Sequence, residues 1–184
     1  ETGEPAADPA ADPGPTEPQA TGPAKLTVKI LVDNEEASGD LKVMSATGGE
    51  VHSGSSGDTS TVQPGQYYLE ASITDESVLA DTPTRQGEPF TVAPAGERTE
   101  TVEFGRSQVK LKVMRGRRRI RRGLIELRRQ GAEEVVVSTK ISDEYIPISP
   151  GRYEGTVKFG ANEIEVSGLV FQGGAKQDIP VRVN

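Results

Sequence analysis

The chain has 184 residues, 21 Lys and Arg against 28 Asp and Glu, a net charge of −7, one His, and neither Cys nor Trp. These counts exclude a disulfide framework, a thiolate nucleophile, an iron–sulfur cluster, a zinc knuckle and any multi-histidine metal site, and no stretch is long and apolar enough for a transmembrane helix. With 33% apolar and 4% aromatic residues beside 21 Gly and 13 Pro, the composition suits small β domains with many turns rather than one large core.

Residues 1–25 read ETGEPAADPAADPGPTEPQATGPAK, with six Pro, a repeated PAAD and no apolar side chain larger than Ala. Such a segment cannot bury enough surface to offset the entropy of ordering it. It is expected to be a disordered, acidic, Pro/Ala-rich linker. Segments of this kind follow the lipidated cysteine of bacterial lipoproteins. That predicts an exported origin, in the periplasm, anchored at the outer membrane or at the cell surface, with membrane contact only through a removed lipid anchor. A plain interdomain linker is the alternative.

The remainder is internally repetitive. Val28-Lys29-Ile30-Leu31-Val32 matches Val109-Lys110-Leu111-Lys112-Val113 at an offset of 81. Val62-Gln63-Pro64-Gly65-Gln66-Tyr67 matches Ile148-Ser149-Pro150-Gly151-Arg152-Tyr153 at 86, and Thr101-Val102-Glu103-Phe104 matches the strand through Val181-Arg182-Val183 at 79. Two homologous units follow, 26–104 and 107–184, joined at Gly105-Arg106. Within each, apolar residues alternate, as in Leu26-Val28-Ile30-Val32, Val109-Leu111-Val113, Tyr67-Leu69-Ala71-Ile73 and Tyr153-Gly155-Val157-Phe159. Gly48-Gly49, Pro64-Gly65, Pro150-Gly151, Gly160-Ala161-Asn162 and Gly173-Gly174 mark turns. The stretch 117–130 comes nearest to a helical stripe, through Ile120, Leu124 and Leu127. Gly123 interrupts it, and Ile125 with Leu127 fits a strand equally. The predicted fold class is all-β: two tandem small antiparallel β-sandwiches after the linker.

The pattern apolar-x-Pro-Gly-x-Tyr, followed by an alternating strand, occurs at Val62–Tyr67 and again at Ile148–Tyr153. It resembles a strand of bacterial prealbumin-like modules (carboxypeptidase-regulatory-like, Cna-B-like and PEGA-type domains) and the E–F corner of immunoglobulin-like sandwiches. The resemblance implies a structural corner at Pro64, Gly65, Tyr67, Pro150, Gly151 and Tyr153, with each ring packed inward and its hydroxyl bonded to nearby backbone. It does not define a role, because such modules serve as spacers, adhesins and binders. A Lys–Asn isopeptide bond, frequent in Cna-B modules, is not carried over, since unit two offers only Asn162 and Asn184.

Enzymatic chemistry finds little footing. His52 lies in Glu50-Val51-His52-Ser53-Gly54-Ser55-Ser56-Gly57-Asp58, which reads as a mobile hairpin tip rather than a catalytic triad. No nucleophile elbow or phosphate loop is present. Asp33-Asn34-Glu35-Glu36-Ala37-Ser38-Gly39-Asp40, and Asp75-Glu76 with Asp81, fail the spacing of a calcium loop and read as solvated acidic turns. No catalytic, metal or cofactor residues are expected. Tyr67, Tyr153, Phe104 and Phe159 read as core-facing. That leaves Tyr68, Phe90, Tyr145 and Phe171, too few for a glycan-stacking platform.

The charge layout is the most informative local feature. Residues 1–25 carry one cation and five anions, residues 26–104 four and fourteen, and residues 105–184 sixteen and nine, for nets of −4, −10 and +7. Arg115, Arg117, Arg118, Arg119, Arg121, Arg122, Arg128 and Arg129 crowd into fifteen residues. Guanidinium forks pair with carboxylates and phosphates. Three readings stay open: a solvated edge strand blunted by charge, a contact with a protein partner, the other unit or a second copy, and a polyanion site. The lack of interleaved aromatics argues against nucleic acid. Together these features predict a non-enzymatic binding or structural module of a cell-envelope or secreted assembly. It would contact a protein partner or itself through the Arg-rich surface of unit two and the acidic surface of unit one. The alternative is an envelope carbohydrate or polyanion binder, with an anionic glycan or a lipid A head group as ligand.

Overall fold

The computed structural model describes residues 21–183. Most of the expected linker, residues 1–20, lies outside the described residues. Its last two residues are already strand, because Ala24 is buried and begins β1. The described residues are all-β, with no helix among them.

Residues 24–104 form β1 (Ala24–Val32), β2 (Glu35–Glu36), β3 (Asp40–Ser45), β4 (Glu50–Ser55), β5 (Thr59–Val62), β6 (Gly65–Ser72), β7 (Thr84–Gln86), β8 (Phe90–Val92) and β9 (Glu97–Phe104). In one sheet β1 pairs antiparallel with β2 and β5 on one side and parallel with β9 on the other. The facing sheet runs β4-β3-β6-β7, with β8 also on β6. Residues 107–183 repeat the plan as β10 (Ser107–Arg115), β11 (Arg118–Arg119), β12 (Leu124–Arg129), β13 (Val135–Lys140), β14 (Ile146–Ile148), β15 (Gly151–Phe159), β16 (Asn162–Phe171) and β17 (Lys176–Val183). Here β10 carries β11 and β14 on one side and parallel β17 on the other, opposite a β13-β12-β15-β16 sheet. Alternation decides which face is covered: Ala24, Leu26, Val28, Ile30 and Val32 all point inward from β1. Each unit closes its own apolar cluster, one spanning Ala24 to Phe104 and the other Val109 to Val183.

The pairing corrects the internal alignment. Val62 lies opposite Ala24, whereas Ile148 lies opposite Ser107. The first strands therefore correspond at an offset of 83, two residues from the sequence match. A slip of two leaves every side chain on the same face, so alternation could not detect it. The stretch 117–130 takes the strand option, as β11, a turn and β12. Phe90 and Phe171, expected outside, are buried at 8% and 2% exposure, because each ring packs on the corner tyrosine of its unit. His52 is half-buried within β4 opposite Val43, not at a hairpin tip.

Candidate functional site

Tyr67 and Tyr153 are buried, and each hydroxyl reaches the carbonyl oxygen four residues back, Gln63 at 2.6 Å and Ser149 at 2.8 Å. The corner of unit two has a second task, which starts in unit one. Between β6 and β7 the chain makes a loop that unit two lacks, where β15 turns directly into β16. Leu79 plugs this loop into the core of unit one, fully buried. The next two residues face the other way: the Ala80 N–H donates to the Pro147 carbonyl at 2.8 Å, and Asp81 enters the corner of unit two.

Asp81 is the buried carboxylate of this junction, its side chain only 1% exposed. Its Oδ1 accepts from the Ser149 N–H and the Ser149 hydroxyl, both at 3.0 Å. Its Oδ2 accepts from Arg129 Nη2 at 2.8 Å and lies 3.1 Å from the Tyr153 hydroxyl. That hydroxyl has one proton and two acceptors in reach, Asp81 and the Ser149 carbonyl. Burial raises the Tyr153 phenol well above its ordinary range, and the negative Asp81 adds to the effect while Arg129 opposes it. Arg129 also donates to the Pro150 carbonyl at 3.1 Å and lies 4.7 Å over the Tyr153 ring. The reading of Asp81 as part of a solvated acidic turn is thus overturned. Leu79 anchors the loop in unit one, and Arg129, Ser149 and Tyr153 of unit two cover the carboxylate. Thr82, immediately after it, is held at φ +35°, an uncommon backbone for a β-branched residue.

A second contact joins the same ends. The turn Asp33-Asn34, at φ 51° and 67°, closes the β1–β2 hairpin. Asp33 Oδ1 accepts from the Arg106 N–H at 3.0 Å, and the Arg106 guanidinium lies 3.5 Å from Asp33 and 3.4 Å from Glu35. Both contacts join the end of unit one where β1, β6 and β9 finish to the end of unit two where β10 and β15 begin. The units meet end to end. The opposed charges do meet within the molecule, but through Arg129 and Arg106, not through the arginines 115–122.

The eight arginines separate into two groups. Arg128 bridges Glu154 and Glu165, and Arg129 holds Asp81. The others gather at the far end of unit two, around the hairpin that corresponds to Asp33–Glu36. Arg119 pairs with Asp143 at 2.5 Å. Arg115, Arg117, Arg118, Arg121 and Arg122 are exposed and have no carboxylate partner among the described residues. Arg115 and Arg118 stand directly opposite each other, an unfavourable like-charge pair. The tip of one unit is thus acidic and engaged, and the tip of the other is basic and open. Among the described residues no cluster of His, Asp and Glu could hold a metal ion. The Nε2 of His52 has no hydrogen-bond partner among them.

The sequence reading missed Asp81. One signal was available: the corner-to-last-strand spacing is 40 residues in unit one (Val62 to Val102) and 33 in unit two (Ile148 to Val181). That surplus holds the apolar Val78-Leu79-Ala80 inside a polar loop.

No family model and no curated protein matches the chain. Among solved structures it is similar to the GBS52 minor pilin of Streptococcus agalactiae, at 9% identity and a TM-score of 0.42 over 88% of this chain and 96% of that one. It is also similar to a streptococcal ancillary pilin, at 12% identity and 0.39 over 89% and 63%. The TIE protein of Bacillus anthracis matches at 13% identity and 0.39 over 88% of this chain, which spans about a third (34%) of that protein. At TM-scores this low the likenesses assign neither activity nor partner to this chain.

Proposed function

We propose that the chain is a non-enzymatic structural and binding element of an exported, cell-surface or envelope assembly. Two modules locked end to end hold an arginine-rich tip away from the acidic N-terminal end, and the tip engages an anionic protein partner. The observation that carries the reading is the buried Asp81 junction. A loop present in one module only, anchored by Leu79, reaches the corner of the next and restricts their relative motion. Five exposed guanidinium groups then sit at the far end, where opposed Arg115 and Arg118 repel until an anion separates them. The acidic Pro/Ala-rich segment supports export.

Two measurements test the reading. Small-angle scattering of the parent is expected to fit one rigid elongated particle, and Asp81→Ala to broaden it into a flexible pair. A parent already flexible overturns the rod. Binding of poly-glutamate to the full chain is expected to be lost in the fourfold variant Arg117→Glu, Arg118→Glu, Arg121→Glu, Arg122→Glu, and to weaken as salt shortens the Debye length from about 10 Å at 0.1 M to about 3 Å at 1 M. Equal binding by parent and variant refutes the tip. Selective binding to phosphate-rich vesicles instead would favour the polyanion alternative.

A further inference from the structure

We propose that each module is built to carry tension applied along the chain, through the parallel pairing of its first and last strands. The inference rests on the end-to-end reading only for how load passes from one module to the next. Among the described residues only two strand pairs are parallel, β1 with β9 and β10 with β17. Each joins the strand by which the chain enters a module to the strand by which it leaves. The first runs from Lys25↔Glu97 to Val32↔Phe104, and the second from Gln108↔Lys176 to Arg115↔Val183.

Direction is the decisive feature. The chain enters β1 at Ala24, at the outer end of unit one, and leaves β9 at Phe104, at the junction. It enters β10 at Ser107, at the junction, and leaves β17 at Val183, at the outer end of unit two. Tension between the chain ends therefore pulls β1 one way and its hydrogen-bonded partner β9 the other, along the strands. β10 and β17 are loaded in the same manner. The bonds of a pair loaded lengthwise share the force and must fail together. Bonds at the open end of a pair pulled sideways fail one after another.

The load path runs from β1 across to β9, through Gly105-Arg106 into β10, and across to β17. It bypasses the second sheet of each module, whose strands connect only through loops. Side chains reinforce the loaded pairs, with Lys25 and Glu97 at 3.4 Å across the first and Lys112 and Asp178 at 2.5 Å across the second. The inward residues Leu26, Val28 and Ile30 of β1, and Val109, Leu111 and Val113 of β10, anchor the pairs in their cores. Asp81 lies off this path.

Single-molecule force spectroscopy on the full chain tests the proposal. The chain has no cysteine, so the thiol introduced by Arg117→Cys in the exposed β10–β11 turn is a unique handle. Held by its two ends, the chain is expected to unfold in two high-force steps, each releasing roughly 25 nm. Held between that thiol and the C-terminus, unit two is pulled at the two neighbouring outer ends of β10 and β17, and the pair unzips. The step is expected at several-fold lower force at the same loading rate, since forced unfolding reads the barrier along the pulled direction. Equal forces in the two geometries would overturn the proposal. Asp81→Ala is expected to leave the end-to-end forces unchanged, and a collapse of force in this variant would place the load in the junction instead. If the rod reading fails, scattering shows it while the forces stand.

Discussion

Replacing Asp81 by alanine tests the junction most directly. The parent carboxylate lies within hydrogen-bond distance of four donors, all from unit two, and is almost fully excluded from water. The lost partners do not cost the same. Arg129 is 37% exposed and keeps the Pro150 carbonyl, so it turns to solvent at small cost. The Tyr153 hydroxyl keeps the Ser149 carbonyl. The Ser149 N–H, in a residue 7% exposed, is left without an acceptor, at about 1–3 kcal/mol. Removing the charge also relieves the carboxylate of its burial penalty, which offsets part of the loss. The net is a loss of about 1–2 kcal/mol of coupling between the units. Calorimetry reads this as a change of pattern: one cooperative transition in the parent, two separated transitions in the variant. Asp81→Asn keeps an acceptor for Ser149 and is expected to fall between. A variant that still melts in one transition at the parental temperature would refute the argument, and the junction would then be a contact without coupling.

Tyr153→Phe keeps the ring against Phe171 and removes only the hydroxyl, so about 1–2 kcal/mol is expected from denaturant titration, whereas Tyr153→Ala is expected to cost about 3–5 kcal/mol and unfold unit two. Because the Tyr153 phenol is held protonated in the folded state, the unfolded chain loses that proton first. Its contribution is therefore full below the ordinary phenol range near pH 10 and is lost as pH rises above it. Alkaline unfolding followed by circular dichroism is expected to begin there in the parent and to be shifted in Tyr153→Phe. Gly155 stands opposite Leu127, where a Cβ would sit 2.1 Å from the Glu126 carbonyl oxygen. Gly155→Ala is expected to cost about 1–3 kcal/mol, confined to unit two in amide exchange. Protection unchanged across β12 and β15 would show that the two strands can part without loss.

Much of the fold was legible in the residues alone. Alternation in Leu26-Val28-Ile30-Val32 and Val109-Leu111-Val113 dictates which side of each strand is covered. The two Pro-Gly-x-Tyr corners announce the same plan twice. Both features are local, and local features need no knowledge of distant partners. The loop around Asp81 is the opposite case. Its partners Arg129, Ser149 and Tyr153 lie 48, 68 and 72 positions away, and the apolar Val78-Leu79-Ala80 marks the loop as unusual without fixing where its carboxylates go. Only the assembled tertiary structure, by burying Leu79 on one side, turns Asp81 toward the other unit. Register was hidden for a related reason, since a two-residue slip leaves an alternating pattern unchanged. The arginines divide on the same ground. The sequence places all eight on one stretch, but the folded strands pair Arg119, Arg128 and Arg129 with carboxylates of the same chain and leave five at the tip facing water.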